Sequence, residues 1–332
     1  MAGPVATIIV NYNTADLTIA CAKSVFATMP TVLVVVADNA SRPEERSRLS
    51  AGLPERAQLL RLDNNYGFSV ANNAGVRAVL AQEPEWLLFL NSDTQLCPGA
   101  IEQAIDAAED HAVGAVGMRL LHASTPDIVQ LGPGRFNPVT GHVRFKDINV
   151  PRSAASNDLA EVNFLHGGAM LVRTTAFLAA GMFPDDIFMY GEDVELALRL
   201  QQTGWRLVYQ PAAEVLHHGG ASGGGYMSPF ALYHSTLSMW RVVKRNFPTP
   251  IYILHLLYSY LWFLPAFTGY CLLFRRQLVR PFLKAYMHHL RGVLNTPPVT
   301  VSIVKFLVPA CGYRARGERR RIGWSSWRRL GW

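Results

Sequence analysis

The sequence predicts an α/β protein: a Rossmann-like, mostly parallel sheet with flanking helices, followed by an apolar and basic helical C-terminal region. Three observations carry that expectation. Up to about residue 120, short apolar runs alternate with amphipathic stretches, the βαβ order that folds into a parallel, right-handed sheet. Polar, turn-forming residues directly follow three of the apolar runs, where such sheets bind ligands. Charge is divided unevenly: residues 275–332 carry thirteen Lys/Arg against one acid (Glu318), while the other 274 residues carry 18 basic and 23 acidic side chains.

Each element follows in order. Val5–Val10 reads as a first strand and Ala15–Thr28 as a helix; Val32–Ala37 is a second strand, followed by a polar turn and helix. Leu59–Leu62 is a weak third strand, Ser69–Ala81 a helix and Trp86–Leu90 a fourth strand. Pro98–Asp110 is expected to be helical with proline at its start. Residues 121–165 are rich in Gly and Pro and read as strands with a mobile loop over the site. Gly167–Val172 resumes a strand, Asp193–Gln202 is a helix, and Arg206–Tyr209 and Glu214–Leu216 are two short strands. Ser228–Asn246 reads as a helix joining this body to the apolar segment.

With 332 residues, half of them apolar and only 17% charged, the chain has ample material for a core, and disorder over its bulk is excluded. The four cysteines (Cys21, Cys97, Cys271, Cys311) form no CxxC pair, which argues against a disulfide framework and a thiolate zinc site. The N-terminus has no basic n-region, so a reducing, cytoplasmic setting is expected. Organisation is expected as a catalytic domain over 1–225, a connecting helix over 226–250 and a membrane-associating region over 251–332. Within the last, residues 251–274 are uncharged and long enough to span a bilayer. They are basic on both sides (Lys244, Arg245; Arg275, Arg276), and a pair of in-plane or re-entrant helices broken near Pro265 is expected rather than a single crossing. Nucleic acid as the partner of the basic tail would leave this apolar stretch unexplained. The apolar run 299–311 and Trp324, Trp327 and Trp332 among arginines suit a headgroup layer.

The chemistry-bearing residues sit at the strand ends. Asn11-Tyr12-Asn13 follows the first strand, Asp38-Asn39-Ala40-Ser41 the second and Asn91-Ser92-Asp93 the fourth. There is no GxGxxG after the first strand and no GxxxxGK[ST], so the dinucleotide fold and the P-loop both lack their phosphate cradle. A nucleotide diphosphate would then be neutralised by a metal held on carboxylate, for which Asp93 is placed, although Asn-Ser-Asp alone is also a common turn. Glu192 and Asp193 open a helix, where acids ordinarily complement the dipole. The apolar approach FPDDIFMYG would desolvate them, as a general base requires. His217 and His218 end a strand before a glycine-rich stretch; they read as a metal ligand or as solvent-facing loop residues.

These pieces stand in an order that resembles glycosyltransferase family 2, the GT-A enzymes, and especially its rhamnosyltransferase-like branch of bacterial surface-polysaccharide synthesis. The resemblance rests on IIVNYN (8–13), DNAS (38–41), NNYGFSVANNAG (64–75), LFLNSDT (88–94), HGGAMLVR (166–173) and FMYGEDVELALRLQQTGWRLVYQPAAEVLHHGGAS (188–222). It implies that Asn11, Asp38 and Asn39 line the nucleotide and Asn72 the nucleotide-sugar pocket, that Ser92 belongs to the donor-binding set, and that Asp93 meets the diphosphate. Asp93 matches the last carboxylate of a DxD-type motif and would bind Mg²⁺ or Mn²⁺ with His217, His218 being less favoured. Asn91 stands where that motif begins with Asp, which shifts the load to Asp93, His217 and the diphosphate. Asp193 matches the catalytic base, with Glu192 orienting the acceptor.

The resemblance further implies an inverting transfer, favoured as rhamnose from dTDP-rhamnose, to a hydroxyl of a lipid-linked saccharide at the cytoplasmic face of the bacterial inner membrane. Galactofuranosyl or glucosyl transfer from a UDP-sugar, and a non-catalytic sugar-nucleotide-binding protein, are the alternatives. A nucleotidyltransferase would want a basic glycine-rich loop after the first strand, and Asn11-Tyr12-Asn13-Thr14 is not one.

Overall fold

The structure, a computed structural model, describes residues 3–219 and 228–291. The glycines at 220 and 223–225, the run 299–311 and the three terminal tryptophans lie outside the described residues.

Four strands, β1 (Val5–Asn11), β2 (Leu33–Asp38), β3 (Gln58–Arg61) and β4 (Trp86–Asn91), form the parallel half of the sheet in the order β3-β2-β1-β4. Their side chains alternate between two buried faces. Val5 and Ile9 point to a core shared with α1 (Ala15–Thr28), α2 (Pro43–Gly52) and, further along, α4 (Ala100–Asp106). Ala6 and Ile8 point to the opposite core, filled by α3 (Gly67–Val79), α5 (Thr174–Ala179) and α6 (Glu192–Gln202). Burial on both faces is why these strands are continuous apolar runs.

Beyond β4 the sheet turns mixed. A short β5 (Thr94–Leu96) follows the Asn-Ser-Asp turn, and the helix after it starts only at Ala100 because Gly99 takes φ +77. The strands β6 (Val113–His122) and β7 (Thr125–Leu131) form a hairpin, β8 (Gly134–Asn137) and β9 (His142–Phe145) a second one, and β10 (Val150–Pro151) and β11 (Ala160–Val162) are short edge pieces. The middle of the chain is therefore largely strand. The strand β12 (Ala169–Arg173) lies antiparallel between β4 and β6, and Gly167-Gly168 form the turn that leads into it. The two short strands expected at 206–216 are one, β13 (Arg206–His217), parallel to β6 with its register shifted between Gln210 and Glu214. An irregularity breaks the pattern, not the strand.

A helix α7 (Pro229–Asn246), capped by the Ser228 side chain accepting from the Ala231 N–H, packs on α6. Buried Glu195 of α6 accepts from Arg199, from Arg245 at 3.2 Å and from Asn246 Nδ2 at 2.6 Å. The next segment corrects an expectation: Thr249–Phe274 is one uninterrupted helix of 26 residues with no break near Pro265. Proline cannot donate to the helical ladder, and a π-turn over Tyr258–Phe263 accommodates it just upstream, so the rod continues. Nor is it a core helix. Leu256, Tyr260 and Phe263 pack with α7 and the last described helix, Val279–Leu290, while Leu261, Trp262 and Leu273 are more than 70% exposed. His255 Nδ1 donates to the Val139 carbonyl at 2.9 Å, tying the rod to the β8–β9 hairpin.

Candidate active site

Parallel pairing places the ends of β1 and β2 side by side, Asn11 opposite Asp38. Asn11 Nδ2 donates to Asp38 Oδ1 at 2.9 Å and to Ser41 Oγ at 3.0 Å, and its Oδ1 accepts from Thr18 at 2.7 Å. Arg46 Nε donates to Asp38 Oδ2 at 2.8 Å, so this buried carboxylate lies between two donors. Asn39 is occupied differently: its amide donates to Asn65 and to the Gly67 carbonyl and accepts from the Tyr66 N–H, pinning the start of α3. Asn72 lies one turn into α3. Its Nδ2 donates to the Phe68 carbonyl, and its buried Oδ1 has no partner among the described residues. Ser92 accepts from Thr14 Oγ1 at 3.0 Å, which joins the first and fourth strand ends.

Asp93 and His217 meet across the mixed half of the sheet. The pairing of β13 with β5 and the His218 N–H donating to the Asp93 carbonyl (3.0 Å) hold the two segments together. His217 Nε2 lies 3.3 Å from Asp93 Oδ1 and 3.5 Å from Asn91 Nδ2, with both His217 and Asp93 buried. His218 is exposed, and its backbone N–H donates to the Asp93 carbonyl. No cluster of three or more His, Cys, Asp or Glu that could hold a metal occurs among the described residues. A buried carboxylate and an imidazole nitrogen side by side are nonetheless the donor set a divalent cation takes when substrate phosphates supply the rest of its shell. The residues fit Mg²⁺ or Mn²⁺ on those terms.

A glycine turn separates this pair from the second group of acids. The Gly168 N–H donates to His166 Nδ1 and its carbonyl accepts from the Asn91 N–H, both at 2.9 Å. On the other side the Gly167 N–H donates to Asp193 Oδ2 at 3.1 Å. A Cβ on Gly168 would stand 2.7 Å from His166 and 3.3 Å from Asn91, and one on Gly167 would stand 3.4 Å from Asp193. His166, which sequence reasoning did not single out, lies half-buried beside His217; desolvation, then the neighbouring imidazole, pushes its pKa down to about 3.

Glu192 and Asp193 open α6 behind Gly191, whose φ of +102 allows the sharp entry. Asp193 Oδ1 accepts from the Val194 N–H at 2.8 Å, while Glu192 Oε2 is buried without a partner among the described residues. Burial pushes both carboxyls well above their usual range, Glu192 also through the charge of Asp193. Two adjacent carboxyls of this kind hold a proton into the neutral range, the condition for a general base at working pH.

The match to known proteins is consistent with this geometry. Residues 2–243 match the model of the family described as glycosyltransferase like family 2. An N-acetylglucosaminyl-diphospho-decaprenol L-rhamnosyltransferase of Mycobacterium tuberculosis is 34% identical over 218 residues, covering 60% of this chain and 70% of its own. The rhamnosyltransferase WbbL of Escherichia coli is 25% identical over 190 residues, covering 54% and 71%. Among solved structures, the mannosyltransferase PcManGT of Pyrobaculum calidifontis with GDP-Man and Mn²⁺ aligns with a TM-score of 0.53 at 16% identity, over 90% of this chain and 77% of its own. GalNAc-T7 with UDP, GalNAc and Mn²⁺ aligns at 0.54 and 16%, over 75% of this chain and about half (49%) of its own. At such identities the likeness speaks for the fold alone.

Proposed function

We propose an inverting, metal-assisted sugar transfer as the function of this chain, which belongs to glycosyltransferase-like family 2 and carries the GT-A fold. The observation that supports it is the placement of two unlike acidic groups on either side of Gly167-Gly168: Asp93 with His217, and Glu192 with Asp193. The first suits the leaving diphosphate and the second an incoming hydroxyl. Asp193 accepts the acceptor's proton as the hydroxyl oxygen bonds to the anomeric carbon, and the bond from that carbon to the diphosphate oxygen breaks. One displacement inverts the anomeric centre. A divalent cation on Asp93 and His217, when bound, offsets the charge that develops on the diphosphate. Asn11, Asp38, Asn39, Asn72 and Ser92 line or brace the nucleotide side.

The donor favoured is dTDP-rhamnose, since the named relatives are rhamnosyltransferases. The acceptor is a hydroxyl of a lipid-linked saccharide at the cytoplasmic leaflet. The helix Thr249–Phe274 supports that setting, because its free face of Leu261, Trp262 and Leu273 has the chemistry of an interfacial anchor.

The test is donor turnover and transfer by the membrane-extracted enzyme across a panel of nucleotide sugars, with and without Mn²⁺, beside Asp193→Asn. Metal-dependent turnover of dTDP-rhamnose, lost in the variant, is expected. Turnover of a UDP-sugar instead would replace the donor. Binding of nucleotide sugar without turnover, unchanged in Asp193→Asn, would leave a non-catalytic sugar-nucleotide-binding protein.

A further inference from the structure

The contacts of His217 on the side away from Asp93 are not explained by the transfer chemistry itself. Its Nδ1 lies 2.6 Å from Gln130 Oε1; Gln130 Nε2 lies 3.4 Å from His122 Nδ1; His122 Nε2 lies 2.7 Å from Asn149 Oδ1. Gln130 reaches this position through an irregularity in its own strand. In the β6–β7 ladder Leu120 pairs with Leu131 and Leu121 with Val129, so Gln130 is the extra residue of a bulge. Bulges re-aim side chains next to sites, and here the amide turns toward the end of β13. Gly219 (φ +77) leaves room for it, since a Cβ there would stand 2.9 Å from Gln130 Nε2.

The polarity of the chain follows from its atoms. Gln130 Oε1 can only accept, so His217 Nδ1 donates; Gln130 Nε2 can only donate, so His122 Nδ1 accepts and His122 Nε2 donates to Asn149. A neutral His217 protonated at Nδ1 presents its lone pair at Nε2, the atom facing Asp93. The reverse polarity would put a hydrogen on Nε2 and close that atom to a cation.

We propose that Gln130, backed by His122, is a positioning residue that fixes the tautomer and ring orientation of His217 so that Nε2 can bind a divalent cation. This rests on the reading of Asp93 and His217 as the cation's protein donors. Outer partners of this kind typically change metal affinity by about 10–100-fold when removed.

The experiment measures Mn²⁺ binding to the full-length, detergent-extracted protein by electron paramagnetic resonance, with and without dTDP. Gln130→Leu is expected to weaken Mn²⁺ by roughly 10–100-fold. Gln130→Glu, which still accepts from Nδ1, retains the wild-type affinity. In ¹⁵N-histidine spectra without metal, His217 is expected as the Nδ1–H tautomer in the wild type and as a mixture in Gln130→Leu, with the unfolding temperature in EDTA unchanged. Should the leucine variant not fold, Gln130→Met takes its place with the same expectation. Wild-type Mn²⁺ affinity in Gln130→Leu while His217→Ala binds weakly would overturn the proposal, and so would equal weakening in Gln130→Glu and Gln130→Leu. Unchanged binding in His217→Ala would instead sink the assignment of His217 as a donor to the metal.

Discussion

The acidic groups of the two halves of the site are oppositely treated, although Asp38, Asp93 and Glu192 are all buried and Asp193 is half-buried. On the nucleotide side, each carboxylate lies against a polar partner. Asp38 lies between Asn11 and Arg46, and Asp93 lies against His217. On the acceptor side, Glu192 and Asp193 are adjacent in sequence and burial raises both, and Glu192 has an oxygen with no partner among the described residues. One set is braced by polar side chains and the other is set to hold, and give up, a proton. Burial alone therefore does not fix what a carboxylate does; the company it keeps decides.

Substitutions by asparagine separate the two. Asp193→Asn keeps the shape and removes the base, so kcat is expected to fall by about 10²–10⁴-fold. Mn²⁺ binding should be untouched, and added Mn²⁺ should not restore the rate. Asp93→Asn should cost about 10²–10³-fold, with part of the loss recovered at high Mn²⁺. Measured in one assay with a Mn²⁺ titration, the contrast breaks if both variants respond to metal alike.

A smaller effect is read in stability. A carboxyl whose folded pKa is raised binds its proton more tightly folded than unfolded. Its contribution is present below the unfolded value of about 4 and is lost as pH rises through the folded value. The wild-type unfolding temperature should therefore decline from mildly acid through neutral pH. Glu192→Gln should flatten that decline, by about 1.4 kcal/mol per pH unit across the window between the unfolded and folded values. Calorimetry across this range on both proteins checks the sign; a parallel decline in the two would show that Glu192 is not held protonated. The rate should move the other way, rising with pH as Asp193 loses its proton.

How much of this was legible depends on whether a feature is local. The strands β1, β2 and β4 and their polar ends were legible because an apolar run followed by Asn or Asp is written in neighbouring residues. Glu192-Asp193 behind a glycine was legible for the same reason. The β5 strand was missed because three residues after a turn carry no period, and β13 was split because its irregular stretch includes Pro211. Pro265 predicted a break through its missing N–H, and the compensating π-turn has no sequence signature. Gln130, Arg46 and His166 were not singled out: each acts through a partner more than seven residues away, brought near by sheet register or by a turn. A bulge at Gln130 is set by pairing with β6, and a single strand does not display it.

The smallest effect on chemistry is expected where the molecule is most apolar outside its core. The helix Thr249–Phe274 commits one face to α7 and the hairpin through His255 and Tyr260, and leaves Leu261, Trp262 and Leu273 free. Neither acidic group is built from it. Serine at those three positions should leave Mn²⁺ affinity, the pH dependence of the unfolding temperature and turnover of a soluble acceptor as in the wild type. The same variant should lose binding to anionic vesicles, because each buried side chain of this size contributes roughly 1.5–3 kcal/mol on leaving water. Co-sedimentation with vesicles beside the soluble assay reads both quantities. If soluble turnover fell in step with vesicle binding, the free face would be part of the catalytic machinery, and the division between a body that does chemistry and a helix that places it would not stand.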